Sequence, residues 1–95
     1  MIWMDTIIIY DISDNSLRTR VAKALMDDGC IRIQEGAFYG LMNHNTREKL
    51  RLRLERMIHD KEGNIQFYPL CSKCFALKES IGEIYQIKEE DVTVL

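Results

Sequence analysis

The 95-residue sequence contains little proline, few cysteines and no long apolar stretch. With Pro69 as its only proline, it lacks the composition of a disordered or linker-rich chain. Three cysteines, an odd number, argue against a disulfide framework and favour a reducing compartment. No apolar run approaches the ~20 residues of a membrane span, and no basic leader precedes Asp5. We therefore expect a cytoplasmic protein without a membrane partner.

The composition is that of an ordinary globular protein, with 46% hydrophobic and 29% charged residues, and it predicts a single domain over residues 1–95. The charge is unevenly distributed, although the formal net charge is only −2. Residues 18–56 contain nine basic and five acidic side chains, whereas the segments on either side each carry a net charge of −3. The basic segment, mostly arginine, suits phosphate binding, and solvated helix faces are the alternative explanation.

The segment TIIIYDISD, residues 6–14, leads from an apolar strand to acidic side chains. Ile7, Ile8 and Ile9 are contiguous and β-branched, which predicts a strand buried on both faces in the middle of a sheet. An acidic residue at the end of such a strand is held on a rigid support, as catalytic and ligand-binding groups are. Asp11 is therefore the first candidate for chemistry. The alternative is that Asp11 accepts hydrogen bonds from amides at the start of the next helix.

Two amphipathic helices are predicted from apolar residues at spacings of three and four. The first has Ser13 or Asp14 as its N-cap and ends at Gly29, which can adopt the left-handed conformation that closes a helix. The second begins at Asn45, which lies three residues before Glu48 in a capping-box arrangement. Both helices are expected to pack their apolar side on a sheet.

Alternating apolar residues predict three further strands, at residues 30–34, 37–41 and 65–70. In the first of these, the alternation places Arg32 and Gln34 on the same face. A tight turn at Glu35 and Gly36 joins it to the next strand, and a bulged single strand is the alternative.

The order strand, helix, strand, strand, helix, strand predicts an α+β fold of the ferredoxin-like type, βαββαβ, with a four-stranded antiparallel sheet and both helices on one face. The tail, residues 75–95, contains two plausible short strands at 83–87 and 91–95 and is expected to add an edge strand. The other sheet face needs cover because the first strand is apolar on both sides. We therefore predict a two-fold homodimer through that face, with the tail strand pairing with its own sheet or its partner's.

Four segments in this order resemble a known family: IIIYDISD at residues 7–14, the helix over 18–25, RIQEGAFYG at 32–40 and IQFYPLCSKC at 65–74. Over almost the whole chain they are similar to Cas2, the smaller of the two near-universal CRISPR spacer-acquisition proteins. The resemblance implies a ferredoxin-like homodimer that bridges the Cas1 integrase and binds duplex DNA for spacer acquisition. It also implies metal-dependent endonuclease activity on DNA or RNA, including single-stranded RNA. The chain departs from the family at Gly36 and Ala37, where serine and valine are frequent.

The resemblance places the family's strand-end aspartate at Asp11 and its neighbouring tyrosine at Tyr10. Asp11 then serves both as the catalytic residue and as the ligand of Mg²⁺ or Mn²⁺. Because magnesium binds oxygen ligands and retains several waters, one carboxylate from each subunit across a dimer axis makes a plausible site. The family's strand-two arginine falls on Arg32, a nucleic-acid-binding candidate. Its following aromatic falls on Phe38, which with Tyr10 is expected to be a supporting or interface residue.

Four further residues, two arginines and two cysteines, have both a functional and a structural interpretation. Arg18 and Arg20 lie one turn into the first helix and are candidates for phosphate contact, with exposure and no partner as the alternative. Cys71 and Cys74 form a single CxxC, which supplies too few ligands for a zinc site. We predict that both cysteines are small, mostly buried residues; redox activity, or a site shared across a dimer, is the alternative.

Three functions of different classes follow from these residues. As an endonuclease, the protein would lose cleavage when Asp11 is replaced by alanine. As a DNA-binding scaffold without nuclease activity, it would support integration despite that replacement. A ferredoxin-like regulator that binds a small molecule would require a bound metabolite, and the sequence contains no glycine-rich or ligand-specific motif for one.

Overall fold

The computed structural model describes residues 2–84, 87, 92, 94 and 95. The elements along them are β1 (Met4–Asp11), α1 (Asn15–Asp27), β2 (Ile31–Gln34), β3 (Ala37–Met42), α2 (His44–Ile58), β4 (Asn64–Leu70) and α3 (Ser72–Ala76). The first six confirm the predicted βαββαβ order, and α3 is an element that the sequence did not indicate. Among the described residues, no helix has both the length and the apolar composition needed to cross a membrane.

The strands form one antiparallel sheet in the order β2-β3-β1-β4, as the ferredoxin-like arrangement requires. β1 lies in the middle, as predicted, and pairs with β3 and β4. Ile8 lies opposite Phe38 on one side and Phe67 on the other. Since side chains alternate along a strand, this register decides which residues face the helices.

The hydrophobic core lies between the sheet and the two helices. Its fully buried members come from both layers and include Ile8, Leu17, Val21, Leu25, Phe38 and Met42. α1 has Asp14 as its N-cap and is followed by Gly29 at φ 95°, so both predicted ends of this helix are confirmed. The core therefore forms beneath one sheet face, and that face fixes the register of β1.

The predicted start of α2 at Asn45 is wrong by two residues. Asn43 is the N-cap: its backbone is extended and its side-chain oxygen accepts a 2.8 Å hydrogen bond from the Thr46 amide. Asn45 already lies inside the helix. Glu48 does not reach back to the cap but binds Arg51, at 3.1 Å. Asparagine occurs at both positions, and only the direction in which the chain leaves β3 selects the first one.

β2 and β3 are two strands joined by a turn at Glu35 and Gly36, as predicted, but β2 also contains a bulge. The register shifts between Arg32, which lies opposite Phe38, and Gln34, which lies opposite Ala37. The predicted placement of these two side chains on one face is therefore wrong, because a bulge inserts an extra residue and reverses the alternation beyond it.

The sheet face opposite the helices, here called the open face, carries Asp5, Ile7, Ile9 and Asp11 of β1. The prediction that β1 is buried on both faces holds only in part, because Ile9 is 40% exposed. α3 covers another part of this face, where the Phe75 ring stacks on Tyr39 at a centroid distance of 4.9 Å. The open face thus combines a covered region around Tyr39 with an uncovered region around Ile9.

The two predicted tail strands fall partly outside the described residues, which omit 85, 86, 88–91 and 93 of the tail. At the far end, Val94 forms a parallel bridge with Leu41, and the Leu95 amide donates a 2.9 Å hydrogen bond to the Leu41 carbonyl. These contacts pair the end of the chain with Leu41, a residue of β3 that β2 does not cover, within the same subunit. An edge strand formed in a dimer stays a prediction.

Candidate functional site

Asp11 is the last residue of β1, and its side chain is exposed. It shares the open face with Ile9, whereas Tyr10 between them turns toward the helices. Within the described part of the chain, the Asp11 carboxylate makes no hydrogen bond or ion pair. The fold therefore holds a free carboxylate at the end of its central strand.

Two glycines allow neighbouring segments to approach the backbone next to Asp11. A Cβ at Gly36 would lie 2.6 Å from the Tyr10 carbonyl oxygen, and a Cβ at Gly63 would lie 2.7 Å from the Asp11 carbonyl oxygen. Gly63 also has φ 127°, a conformation that L side chains rarely adopt. The sequence predicted Gly36 in a turn, but the close packing of both glycines against the end of β1 was not predicted.

Asp14, rather than Asp11, accepts hydrogen bonds from the backbone amides at the start of α1. The Leu17 amide donates a 3.0 Å hydrogen bond to the Asp14 carboxylate, and this bond lowers the pKa of Asp14. The Arg18 amide donates to the Asp14 carbonyl at 2.9 Å. The alternative that Asp11 serves as the acceptor for this helix is therefore wrong, and Asp11 is left available for other ligands.

A cleft of about 400 Å³ between α1 and the β2 end of the sheet brings together three of the predicted residues, Tyr10, Arg18 and Arg32. Arg18 donates to the Ile12 carbonyl at 3.2 Å and also binds the Asn15 side chain. Asp11 does not line this cleft. The structure therefore separates the carboxylate on the open face from the arginines on the helix side.

Arg32 and Phe38 form a contact within the subunit. The Arg32 guanidinium lies 5.0 Å from the centre of the Phe38 ring and donates a 3.1 Å hydrogen bond to the Glu35 carbonyl. Phe38 is fully buried, and Tyr10 is 5% exposed with its hydroxyl bonded to the same carbonyl at 3.3 Å. Tyr10 and Phe38 are thus in a position to support the strand ends, and neither presents a ring to solvent.

The charges of the basic segment are partly neutralised within the subunit. Arg51 bridges Glu48 and Glu55, Arg53 bridges to Asp28 at 2.9 Å, and Lys23 pairs with Asp27. The hydrogen bond from Arg51 lowers the pKa of Glu48. Among the described residues, the basic side chains of this segment without an acidic partner are Arg18, Arg20, Arg47, Lys49 and Arg56. Arg18 and Arg20 were predicted from the sequence as phosphate contacts, whereas Arg47, Lys49 and Arg56 were not.

A buried polar pair on the open face was also missed. The Tyr39 hydroxyl donates a hydrogen bond to the Asp5 carboxylate, and these residues are 3% and 9% exposed. Burial raises the pKa of Tyr39, and the bond to Asp5 raises it further. The two residues are 34 positions apart, so only the pairing of β1 with β3 brings them together.

Cys71 and Cys74 are both exposed, so the prediction that they are mostly buried is wrong. They lie at the start of α3, on a segment that leaves the sheet after β4 and packs on its open face. No group of three or more potential metal ligands from His, Cys, Asp and Glu occurs in the part of the chain that the structure describes.

Comparison with known proteins adds an independent result. The sequence model of the family described as CRISPR associated protein Cas2 matches residues 4–78. The chain belongs to the Cas2 family. It is 38% identical to the CRISPR-associated endoribonuclease Cas2 of Desulforudis audaxviator over 87 residues, which cover 92% of this chain and 82% of that protein. It is 35% identical to the CRISPR-associated endoribonuclease Cas2 of Korarchaeum cryptofilum over 79 residues, 83% of this chain and 85% of that protein.

Solved structures support the fold. The crystal structure of Streptococcus pyogenes Cas2 matches with a TM-score of 0.71 at 24% identity, covering 83% of this chain and the whole of that one. The fold of this Cas2-family chain is therefore ferredoxin-like, as the element order predicted. The family match runs from β1 through α3 and includes Asp11, both arginines of α1 and both exposed cysteines.

Proposed function

We propose that this Cas2-family protein acts in the cytoplasm as a homodimer that bridges the Cas1 integrase, binds duplex DNA for spacer acquisition and cleaves phosphodiester bonds in RNA or DNA. Asp11 is its proposed catalytic residue and its ligand for Mg²⁺ or Mn²⁺. The observation that supports this proposal best is the free Asp11 carboxylate at the end of the central strand. Relatives named endoribonucleases support the nuclease activity.

The proposed dimer completes a site that one chain supplies only in part. Asp11 and Ile9 lie on the same face of β1, and Ile9 is an apolar side chain with 40% of its surface exposed. A two-fold contact between copies through this part of the open face would bury Ile9 and bring the two Asp11 carboxylates toward one another. Two carboxylates and water then meet the preference of magnesium for oxygen ligands.

The residues present fit a hard divalent cation better than a soft one. Asp11 offers carboxylate oxygens, and Asn64, its partner in the β1–β4 register, offers an amide oxygen on the same face. Bound there, the metal would supply an activated water and positive charge beside the scissile phosphate. The protein would keep Asp11 in place through the rigid end of β1 and the close packing at Gly63.

The arginines are proposed to position nucleic acid rather than to take part in cleavage. Arg18 and Arg20 have no acidic partner among the described residues, so a phosphate contact would not break an ion pair. Arg32 is more constrained, since its guanidinium is held by Glu35 and the Phe38 ring. Phosphate contacts fix the register of a nucleic acid without reading its sequence.

One observation favours a second function, that of a DNA-binding scaffold without nuclease activity. The described part of a single chain contains no cluster of three metal-ligating side chains, and Asp11 does not line the cleft that holds Arg18 and Arg32. In the scaffold function the arginines bind duplex DNA and Asp11 has no catalytic part. The two functions therefore differ in the effect of replacing Asp11.

The test is a cleavage assay on labelled RNA and labelled duplex DNA with magnesium, manganese or a chelator. We expect metal-dependent cleavage by the wild-type protein and at least a ~100-fold loss in Asp11→Asn, since the replacement removes the charged oxygen ligand. Asp27→Asn is the matched control, because Asp27 is an exposed aspartate on α1, where it pairs with Lys23.

Cleavage that is equal in wild type and Asp11→Asn would exclude the proposed catalytic role. If neither protein cleaves but both bind duplex DNA, the scaffold function is the correct one. Circular dichroism of Asp11→Asn shows whether the variant is folded, which we expect because Asp11 is exposed and its carboxylate bonds to none of the residues that the structure describes.

A further inference from the structure

Cys71 and Cys74 have no part in the proposed nuclease activity, but the structure places both at the start of one short helix, with both side chains exposed. They occupy the N-cap and third position of α3. The Cys74 amide donates a 3.4 Å hydrogen bond to the Cys71 sulfur. Two accessible thiols one helical turn apart, with the backbone of the second bonded to the sulfur of the first, lie close enough along the chain for a disulfide to be tested.

The two thiols differ in reactivity. The hydrogen bond from the Cys74 amide lowers the pKa of Cys71, while the neighbouring Cys71 side chain raises the pKa of Cys74. The thiolate is the form of cysteine that attacks a disulfide, so Cys71 is the group that reacts first. The third cysteine, Cys30, is buried, and burial raises its pKa to about 12. Cys30 is therefore expected to stay unmodified in the folded protein and serves as an internal control for the reactions of Cys71 and Cys74.

α3 connects this pair to the open face. Phe75, the residue after Cys74, stacks on Tyr39 at 4.9 Å, and the Lys78 ammonium lies 4.1 Å from the centre of the Phe75 ring. α3 has only five residues, too few for a stable helix in isolation. A covalent bond across its first turn would stabilise the helical form of α3, the form in which Phe75 stacks on Tyr39.

We propose that Cys71 and Cys74 are a redox-active dithiol that exchanges with small-molecule disulfides, and that its disulfide form fixes α3 on the open face. The Cys71 thiolate attacks one sulfur of the small disulfide, forms a mixed disulfide and releases one thiol. Cys74 loses its proton, attacks the Cys71 sulfur and expels the second thiol. Two electrons pass from the cysteine pair to the small disulfide, which is reduced to two thiols.

The first test follows the protein mass during titration with glutathione disulfide. We expect the wild type to lose two hydrogens and keep no adduct, while Cys74→Ser stops at one glutathione adduct because no resolving thiol remains. Cys71→Ser should react at least about tenfold more slowly than Cys74→Ser, since it lacks the thiol with the lowered pKa. Cys30 should become alkylated only after the protein is denatured.

Either of two results would overturn the exchange mechanism. One is a wild type that accumulates two stable glutathione adducts, because the thiols would then react independently. The other is an equal rate for Cys71→Ser and Cys74→Ser, because the attacking thiol would then not be defined. Both variants replace an exposed side chain, so their folding can be verified by circular dichroism before the titration.

The second test asks whether the disulfide fixes α3. Amide exchange is measured at Phe75 and Leu77, whose amides donate to the carbonyls of Cys71 and Cys74 at 3.0 and 3.1 Å. We expect about a tenfold slower exchange in the oxidised protein, because the bridge restricts the unfolded first turn. The amide of Ile8 in the central strand should not change, and Cys74→Ser should show no protection with oxidant. Unchanged exchange at Phe75 in the disulfide form would contradict the link to α3.

Discussion

At the scale of single residues, the hydrogen bond from Tyr39 to Asp5 stabilises the open face. Both residues are nearly inaccessible to water, and the Asp5 carboxylate depends on the Tyr39 hydroxyl as a donor. Tyr39→Phe should lower the free energy of unfolding by about 1–3 kcal/mol, since it leaves a buried acceptor without its donor. Urea denaturation measures the change. Tyr68→Phe is the control, because Tyr68 is an exposed tyrosine on the same face and its loss should cost less than about 0.5 kcal/mol.

The hydrogen-bonded pair of Asp5 and Tyr39 should also make the free energy of unfolding depend on pH. The pKa of Tyr39 is raised by burial and by Asp5, so the folded protein keeps the phenolic proton to a higher pH than the unfolded chain does. Its contribution to stability is complete below about pH 10, the unfolded pKa, and is lost as the pH rises toward the folded value. Between about pH 10 and 11, the urea midpoint of the wild type should therefore fall more steeply than that of Tyr39→Phe. Parallel curves would show that the pair is not coupled to stability.

The sequence predicted the position of Asp11 but not that of the Tyr39 partner. A contiguous apolar run that ends in an acidic residue is a local pattern. The position of Asp11 at the end of β1 is therefore predictable from the residues next to it in the sequence. The contact between Asp5 and Tyr39 depends on strand register and on the side from which α3 returns. Neither is encoded by spacing along the chain, and the exposure of Cys71 and Cys74 was missed for the same reason.

At the scale of elements, the start of α2 allows a test of whether Asn43 or Asn45 caps the helix. Asn43→Ala should destabilise the protein by about 1 kcal/mol, because its side chain accepts the Thr46 amide at the helix start. Asn45→Ala should be neutral or slightly stabilising, since Asn45 is exposed inside the helix and alanine has the higher helix propensity. Urea midpoints of the two variants measure the difference. A larger loss in Asn45→Ala would show that the helix begins at the capping box instead.

The bulge in β2 shows a second limit of local patterns. The alternation IRIQ fits a regular strand, and the sequence contains no glycine within it to suggest an extra residue. The bulge places Arg32 opposite Phe38 and Gln34 opposite Ala37, so Ile33 between them has no partner of its own on β3. The order and type of the six main elements were predictable because each has its own periodicity, whereas an extra residue within a strand leaves that periodicity of the sequence unchanged.

At the scale of the whole molecule, the fold buries one face of the sheet and leaves part of the other uncovered. Ile9 and Tyr68 are 40% and 45% exposed there, and Asp11 lies at the same end of β1 as Ile9. The sequence predicted this need for cover from the apolar character of β1. It did not predict that α3 supplies part of the cover from within the chain, because that requires the path of the segment after β4.

The proposed homodimer therefore depends on the region around Ile9. Ile9→Lys should raise the dimer dissociation constant by about 30-fold or more, because burying an unpaired ammonium costs at least about 2 kcal/mol. Leu52→Lys is the matched control: Leu52 is 44% exposed on α2, on the helix side of the molecule, and its replacement should leave the dimer intact. Light scattering over a dilution series distinguishes the 11.2 kDa subunit from a species of twice that mass. If Leu52→Lys dissociates the protein and Ile9→Lys does not, the subunits meet through the helices, and the two Asp11 carboxylates cannot share a metal ion across the open face.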